Sequence, residues 1–234
     1  MSKNKDLISL ENSGGTPFDS TQGISYGNDQ NHGHGHGLSH SDSESCNSCF
    51  NTEKSLSWVV FISGNGSNLQ ALLDSDPKIN ISLVVSSKAE AFGVERAKKA
   101  GVPVLIFTKE NSWDGLSIEL KKLQIDRIFL AGFMKVIPAS FINDWENKIL
   151  NLHPSLLPSY KGLKAIERSF EDGAAIGITI HWVTAELDAG PILLQKEVFP
   201  AGSTRSLSLD SVKDQVHKIE NKMVVEAVWM CHKC

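Results

Sequence analysis

Long apolar runs are missing from this 234-residue chain. A membrane-spanning helix needs about 18 or more consecutive apolar residues. No stretch approaches that length, and the start of the chain lacks the apolar core of a secretion signal. Arginine is absent before Arg96 while acidic residues are frequent there, which excludes the Arg-rich, acid-poor composition of an organelle transit peptide. The expectation is a cytoplasmic protein. An excess of charge of either sign is also lacking: the net charge is −4 and the pI near 6.1. There is therefore no basic footprint for nucleic acid. Cysteine is confined to Cys46, Cys49, Cys231 and Cys234, so no disulfide framework staples the middle. Internal repeats are absent too.

Residues 1–55 are rich in Ser, Gly and Asn and poor in aliphatic side chains. Such a segment cannot bury enough apolar surface to offset its ordering entropy, so a disordered tail is expected. Its three lysines against seven acidic residues leave a deficit equal to the whole net charge of −4. It carries His32, His34, His36, His40 and the pair Cys46 and Cys49, while the chain ends Cys231-His232-Lys233-Cys234. These are soft-metal ligands gathered at both termini. A divalent-metal site across the ends, or a metal-binding protein built on an enzyme scaffold, is chemically admissible, although no second pair at fixed spacing supports the first.

From residue 56 the pattern changes to apolar runs alternating with helix-like segments, over a catalytic-domain-sized stretch of 56–230 followed by a short Cys/His terminus, 231–234. Strands are expected at 56–62, 81–86, 103–107, 126–131 and 148–153, and helices at 69–73, 90–100, 113–123 and 164–172. This alternation implies an α/β fold with a mostly parallel sheet and right-handed crossovers. Two further β-rich runs, 177–183 and 191–198, read as an antiparallel extension joined by a functional loop. The final helix, 209–230, presents Val212, Val216, Ile219 and Met223 at helical spacing.

Three places carry candidate chemistry. In Asn151-Leu152-His153-Pro154, a strand running through to 153 would project Asn151 and His153 to one face, and Pro154 would then stop the ladder. An amide and an imidazole there suit a reaction that builds negative charge on a carbonyl oxygen and moves protons nearby. The loop Ser63-Gly64-Asn65-Gly66-Ser67-Asn68 joins the first strand to the first helix, where glycines and free helical N–H groups favour an anion. It is neither a dinucleotide fingerprint nor a Walker loop. Asp188, in a Gly-containing loop after a β-rich run, is the carboxylate best placed to orient the imidazole and order a water; a turn aspartate is the plainer reading. His181 reads as a hydrogen-bonded core histidine.

Taken together, these stretches resemble the phosphoribosylglycinamide formyltransferase family over about residues 57–228. The carrying segments are FISGNGSNLQALL from Phe61, SSKAEAFGVERAKKAG from Ser86, LAGFMKVI from Leu130, ILNLHPSLLPSYKGLKAIERSFEDG from Ile149 and GITIHWVTAELDAGPILLQ from Gly177. The resemblance implies a Rossmann-like open sheet and transfer of a formyl group from 10-formyltetrahydrofolate to the amine of glycinamide ribonucleotide, with no metal required. It implies that Asn151, His153 and Asp188 are catalytic. Gly64, Asn65, Gly66, Ser67 and Asn68 would hold the substrate phosphate, Glu220 the ribose, and Met134, Lys135, Val136 and Ile137 the folate, with His181 in support.

Departures from the family pattern lie at Lys135, where Arg is common, at Ala185, where Asp is common, and around Glu220. There the family's Glu-His-x-x-Tyr-Pro is replaced by Glu220-Asn221-Lys222-Met223-Val224-Val225. The partners implied are small molecules, with neither nucleic acid nor membrane; a weak homodimer is compatible with the sequence. The neighbouring readings are a formyltransferase for another acceptor, against whose tRNA version the missing basic C-terminal domain argues, and a formyltetrahydrofolate hydrolase, against which the missing N-terminal domain argues.

Overall fold

The computed structural model describes residues 55–232. The His/Cys-bearing tail and Cys234, on which the metal-binding expectation rests, lie outside the described residues. In chain order the elements are β1 (Trp58–Ile62), α1 (Ser67–Leu73), β2 (Ile81–Ser86), α2 (Phe92–Lys99), β3 (Val104–Ile106), α3 (Trp113–Lys122) and β4 (Arg127–Leu130). Then follow α4 (Ala139–Asp144), β5 (Ile149–His153), α5 (Ala165–Glu171), β6 (Ile176–Trp182), β7 (Ile192–Phe199) and α6 (Leu209–His232).

The strands form one seven-stranded sheet in the order β3-β2-β1-β4-β5-β6-β7. The first five pair in parallel, whereas β6 and β7 run antiparallel. The expected strands are all present, as is the antiparallel extension. The short helix α4 was not anticipated. It follows Pro138 at its N-cap, offers one turn and a half, and is held by the buried Phe141 and Ile142 rather than by a visible period.

Alternation along the strands sorts the core into two layers. Trp58, Val60 and Ile62 of β1 join Leu150, Leu152, Ile178 and Ile180 in a core with residues of α1, α2, α5 and α6. Val59, Phe61, Ile128, Leu130 and Ile149 form the other, with Leu116 and Leu120 of α3 and Phe141 of α4. A parallel sheet covered on both faces needs near-continuous apolar strands, and β1 is buried at all five positions.

The last helix buries Val212, Val216, Glu220, Met223 and Val224. Ile219, expected in the buried stripe, is only partly buried, and the carboxylate Glu220 takes the place one residue on. The helix also continues past 230, so that Cys231 is buried in its last turn and His232 accepts a hydrogen bond through Nε2 from the Trp58 indole N–H at 3.3 Å. Among the described residues, no group of three or more His, Cys, Asp or Glu is arranged to hold a metal ion, and no helix is long and apolar enough to cross a membrane.

Candidate active site

Strand direction reverses its order of addition between β1 and β4: β2 and β3 build outward on one side, β4 and β5 on the other. In open α/β sheets the crevice beyond the carboxyl ends at such a point receives ligands. Three of the sequence-identified segments leave the sheet there, from β1, β4 and β5. The segments after β1 and β4 are tied at Ser63, whose buried hydroxyl accepts from the Met134 amide at 2.8 Å and meets the hydroxyl of Ser87, after β2, at 2.6 Å.

On β5, Asn151 and His153 share the face of Ile149, as their spacing requires. Antiparallel pairing sets His181 directly opposite Asn151 and Thr179 opposite His153. The ring of His181 has a defined tautomer: Nδ1 lies 2.9 Å from the Trp182 carbonyl, which only accepts, so Nδ1 carries hydrogen. Its Nε2 then receives the Asn151 amide at 3.2 Å. His181 is therefore both a satisfied core histidine and the group that orients Asn151.

The same logic orients His153. Its Nε2 is 2.9 Å from the Tyr160 carbonyl and must donate to it, which turns Nδ1 toward Asp188 Oδ2 at 3.4 Å. In the protonated ring both nitrogens donate, one to the carbonyl and one to the carboxylate. Asp188 is 8% exposed and adopts φ 49, a left-handed conformation that Asp tolerates better than most residues. Its Oδ2 accepts the Gly162 amide at 2.8 Å, while Oδ1 lies 3.7 Å from His181 Nε2.

Burial is the largest influence on the Asp188 carboxyl and pushes its pKa up. The His181 side chain in its protonated form, the Gly162 amide and the charge of a protonated His153 outweigh it, so the group titrates below the ordinary carboxylate value. Of these partners only Gly162 is at hydrogen-bond distance; His181, at 3.7 Å, contributes only when protonated and not in the tautomer that receives Asn151.

The loop after β5 is held by the antiparallel strands. Thr179 Oγ1 donates to the Ser155 carbonyl at 2.6 Å and accepts from the Leu157 amide and from Gln195 Nε2. Gln195 also donates to the Leu157 carbonyl at 3.0 Å. On the loops around the cleft mouth the large apolar side chains Met134, Val136, Leu163 and Leu187 are exposed, beside the exposed Lys164, Thr184 and Glu186. Lys135 lies over the Phe107 ring at 5.2 Å, and Ile137 packs onto the second core layer.

At the far end, Gly66 adopts φ 72 and starts α1 with no capping side chain. A Cβ there would stand 2.6 Å from the Gly93 Cα, so two glycines let the loop and the start of α2 meet backbone to backbone. Arg96 braces the loop, donating from Nε to the Asn65 carbonyl at 2.9 Å and from Nη1 to Gln70 at 3.1 Å. Gly64 and Asn65 are exposed, Ser67 is intermediate, and Asn68 is buried with its Oδ1 unpartnered among the described residues. Sequence reasoning assigned no role to Gly93 or Arg96; a glycine placed inside an otherwise helical pattern was the available signal.

Glu220 is 3% exposed and its Oε2 meets His217 Nδ1 at 2.8 Å. A groove of about 610 Å³ between α1 and α2, lined by Lys78, Lys99 and Arg96 among others, lies away from Asn151, His153 and Asp188. Asn151, His153 and Asp188 meet instead beyond the carboxyl end of β5.

The model of the family described as formyl transferase matches residues 56–228. The phosphoribosylglycinamide formyltransferase of Escherichia coli (strain K12) is 40% identical over 173 residues, covering 69% of this chain and 82% of that protein. The human trifunctional purine biosynthetic protein adenosine-3 is 40% identical over 183 residues, 73% of this chain but 18% of that longer protein. Among solved structures, the phosphoribosylglycinamide formyltransferase of Anaplasma phagocytophilum superposes with a TM-score of 0.72 at 38% identity, over 77% of this chain and 88% of that one. On this combined evidence of sequence, fold and crevice, the chain belongs to the phosphoribosylglycinamide formyltransferase family.

Proposed function

We propose that the chain transfers the formyl group of 10-formyltetrahydrofolate to the amine of glycinamide ribonucleotide, a step of de novo purine biosynthesis, in the cytoplasm. The observation that carries the reading is the convergence of Asn151, His153 and Asp188 at the end of β5, with an uncapped glycine loop two strands away at the end of β1. An acceptor with a phosphate at one end and an amine at the other fits such a crevice. The exposed apolar side chains Met134, Val136, Leu163 and Leu187 suit a flat, largely apolar cosubstrate beside the relay.

When bound, the formyl folate supplies an activated formyl carbon. Asn151 donates from Nδ2 to the formyl oxygen as charge develops on it, an interaction that strengthens in the transition state. His153, held by Tyr160 and Asp188 through its two ring nitrogens, adds the positive charge of its protonated ring near that oxygen. Asp188, ionised at neutral pH, orients that ring and holds the water through which the amine's proton passes toward the leaving nitrogen. The N–H groups from Gly64 to Asn68 receive the phosphate, and backbone groups of residues 134–137 the pterin. A ribose reaching Glu220 would share that carboxylate with His217.

The test is formyl transfer by the full chain from 10-formyltetrahydrofolate to glycinamide ribonucleotide, run beside other amine acceptors and with water alone. Preference for the ribonucleotide is expected. Preference for another amine, or release of free formate without an acceptor, would overturn it.

A further inference from the structure

One short turn lies under both members of the relay. Tyr160 supplies the carbonyl that fixes His153 Nε2, and Gly162, two residues on, supplies the amide that fixes Asp188 Oδ2. The backbone here is unusual: Tyr160, Gly162 and Lys164 all have positive φ, at 55, 78 and 55. For Tyr and Lys this is a conformation that persists only where neighbouring structure imposes it.

The imposing group is on α5. Side chains of a helix slant back toward its N-terminus, over the preceding turn. Arg168 does so, and its Nη2 donates to the Tyr160 carbonyl at 2.9 Å and to the Lys161 carbonyl at 2.6 Å. Its guanidinium carbon lies 5.6 Å from the centre of the Tyr160 ring. The Tyr160 hydroxyl donates to Asp172, the C-cap of the same helix, at 2.8 Å. One helix therefore grips the start of the turn through two of its residues, Arg168 and its C-cap Asp172. The orientation of the guanidinium is set by these carbonyls at the expense of its third kind of donor, since the buried Nε–H has no partner among the described residues.

We propose that Arg168 is a positioning residue for the formyl-transfer relay: by clamping the Tyr160 and Lys161 carbonyls it fixes the turn from which His153 and Asp188 take their orientation. The inference rests on the reading of His153 and Asp188 as the relay. Tyr160 O is shared by the imidazole and the guanidinium, so loss of the latter frees the acceptor of the former. The phosphate loop on β1 has no contact with this clamp in the hydrogen bonds described. The consequence should therefore fall on turnover and not on acceptor binding.

The experiment uses the full chain carrying Arg168→Ala, Arg168→Lys or Tyr160→Phe, with kinetics on glycinamide ribonucleotide and backbone amide exchange by NMR. For Arg168→Ala a fall in kcat of about 10- to 100-fold is expected, the scale of a misplaced catalytic group. The acceptor KM should stay within about two-fold, with the pH profile of kcat displaced. The Gly162 amide should exchange faster while β5 amides keep their protection. Arg168→Lys, which keeps a cationic donor, should recover most of the loss, and Tyr160→Phe, which keeps the carbonyl but loses the bond to Asp172, should fall between Arg168→Ala and wild type. If the alanine variant does not fold, the lysine variant carries the test through a partial fall in kcat and partial deprotection of Gly162. Wild-type kcat and pH profile in Arg168→Ala, or unchanged exchange at Gly162, would overturn the proposal. A wild-type chain that formylates no ribonucleotide would instead overturn the relay's assigned reaction, while exchange at Gly162 still decides the clamp.

Discussion

The two ends of the crevice are built on opposite plans. At the β5 end the polar groups are tied into the chain: Asn151 to His181, His153 to Tyr160 and Asp188, Asp188 to Gly162, and the turn itself to Arg168. At the β1 end, α1 opens on a bare glycine and the loop is exposed at Gly64 and Asn65. The first four N–H groups of a helix have no intrahelical acceptor, so an uncapped start is completed by water or by a ligand. The difference matches the division of tasks in the proposed reaction. Groups that must act in the transition state are oriented in advance, whereas groups that bind a ground-state anion are left to be satisfied by it.

That contrast breaks hardest at Asp188. Asp188→Asn keeps the size and the acceptor for Gly162 but removes the charge facing His153, so kcat should fall about 10²- to 10⁴-fold with folding intact. His153→Ala should do the same. Steady-state kinetics with a thermal melt checks both, and unchanged turnover in the Asn variant would remove Asp188 from the mechanism. Next in size is the other end. Gly66→Ala forces a Cβ into a left-handed residue, at a cost of roughly 1–2 kcal/mol, and against the Gly93 backbone as well. A lower melting temperature and a raised acceptor KM are expected, with kcat less affected. A variant that lost kcat alone would erase the division of tasks.

The sequence disclosed the strands, the shared face of Asn151 and His153, and the loop position of Asp188, because period two and Gly/Pro punctuation are local signals. It did not disclose what orients those groups. Asn65 and Arg96 are 31 positions apart and Gly162 and Asp188 are 26 apart, and such pairings depend on which strands become neighbours. The tautomers of His153 and His181 follow only from which carbonyls they face. Glu220 in place of Ile219 on the buried face of α6 marks a different limit: the apolar period predicted the stripe, and an i,i+3 partner on the same helix, His217, admitted a carboxylate into it.

A milder perturbation sharpens the contrast by adding a ligand. A compound that binds only the folded state stabilises it by RT ln(1 + [L]/Kd), about 2.7 kcal/mol at 100 times Kd. Ribose 5-phosphate, which carries the phosphate and sugar but no amine, should raise the melting temperature of the wild type and of Asp188→Asn alike. It should do so less in Arg96→Ala, where the loop loses its brace at Asn65. Equal shifts in all three would place the sugar phosphate elsewhere.

The smallest effect concerns His217 and Glu220. The hydrogen bond to Glu220 is the largest cause of a raised His217 pKa; burial opposes it and is outweighed by that bond together with the charges of Glu220 and Asp214, against a smaller opposing charge from Lys213. Lys213 is itself tied to Glu167 of α5 at 2.8 Å, which limits its repulsion. For a histidine whose folded pKa exceeds its unfolded value, the proton is bound more tightly in the folded chain. The stabilisation is therefore complete below the unfolded pKa of 6.5 and disappears as pH rises through the folded value. His217 is half exposed, so solvent screens the pair and the gain is small. The expected observation is a slightly larger difference in melting temperature between wild type and His217→Ala at pH 6 than at pH 8.5. The acceptor KM should fall toward the alkaline side in the wild type, as Glu220 is released from its partner to meet the ribose. A KM independent of pH over that window, with the variant matching the wild type, would detach Glu220 from the acceptor and leave the pair as a helix-surface contact.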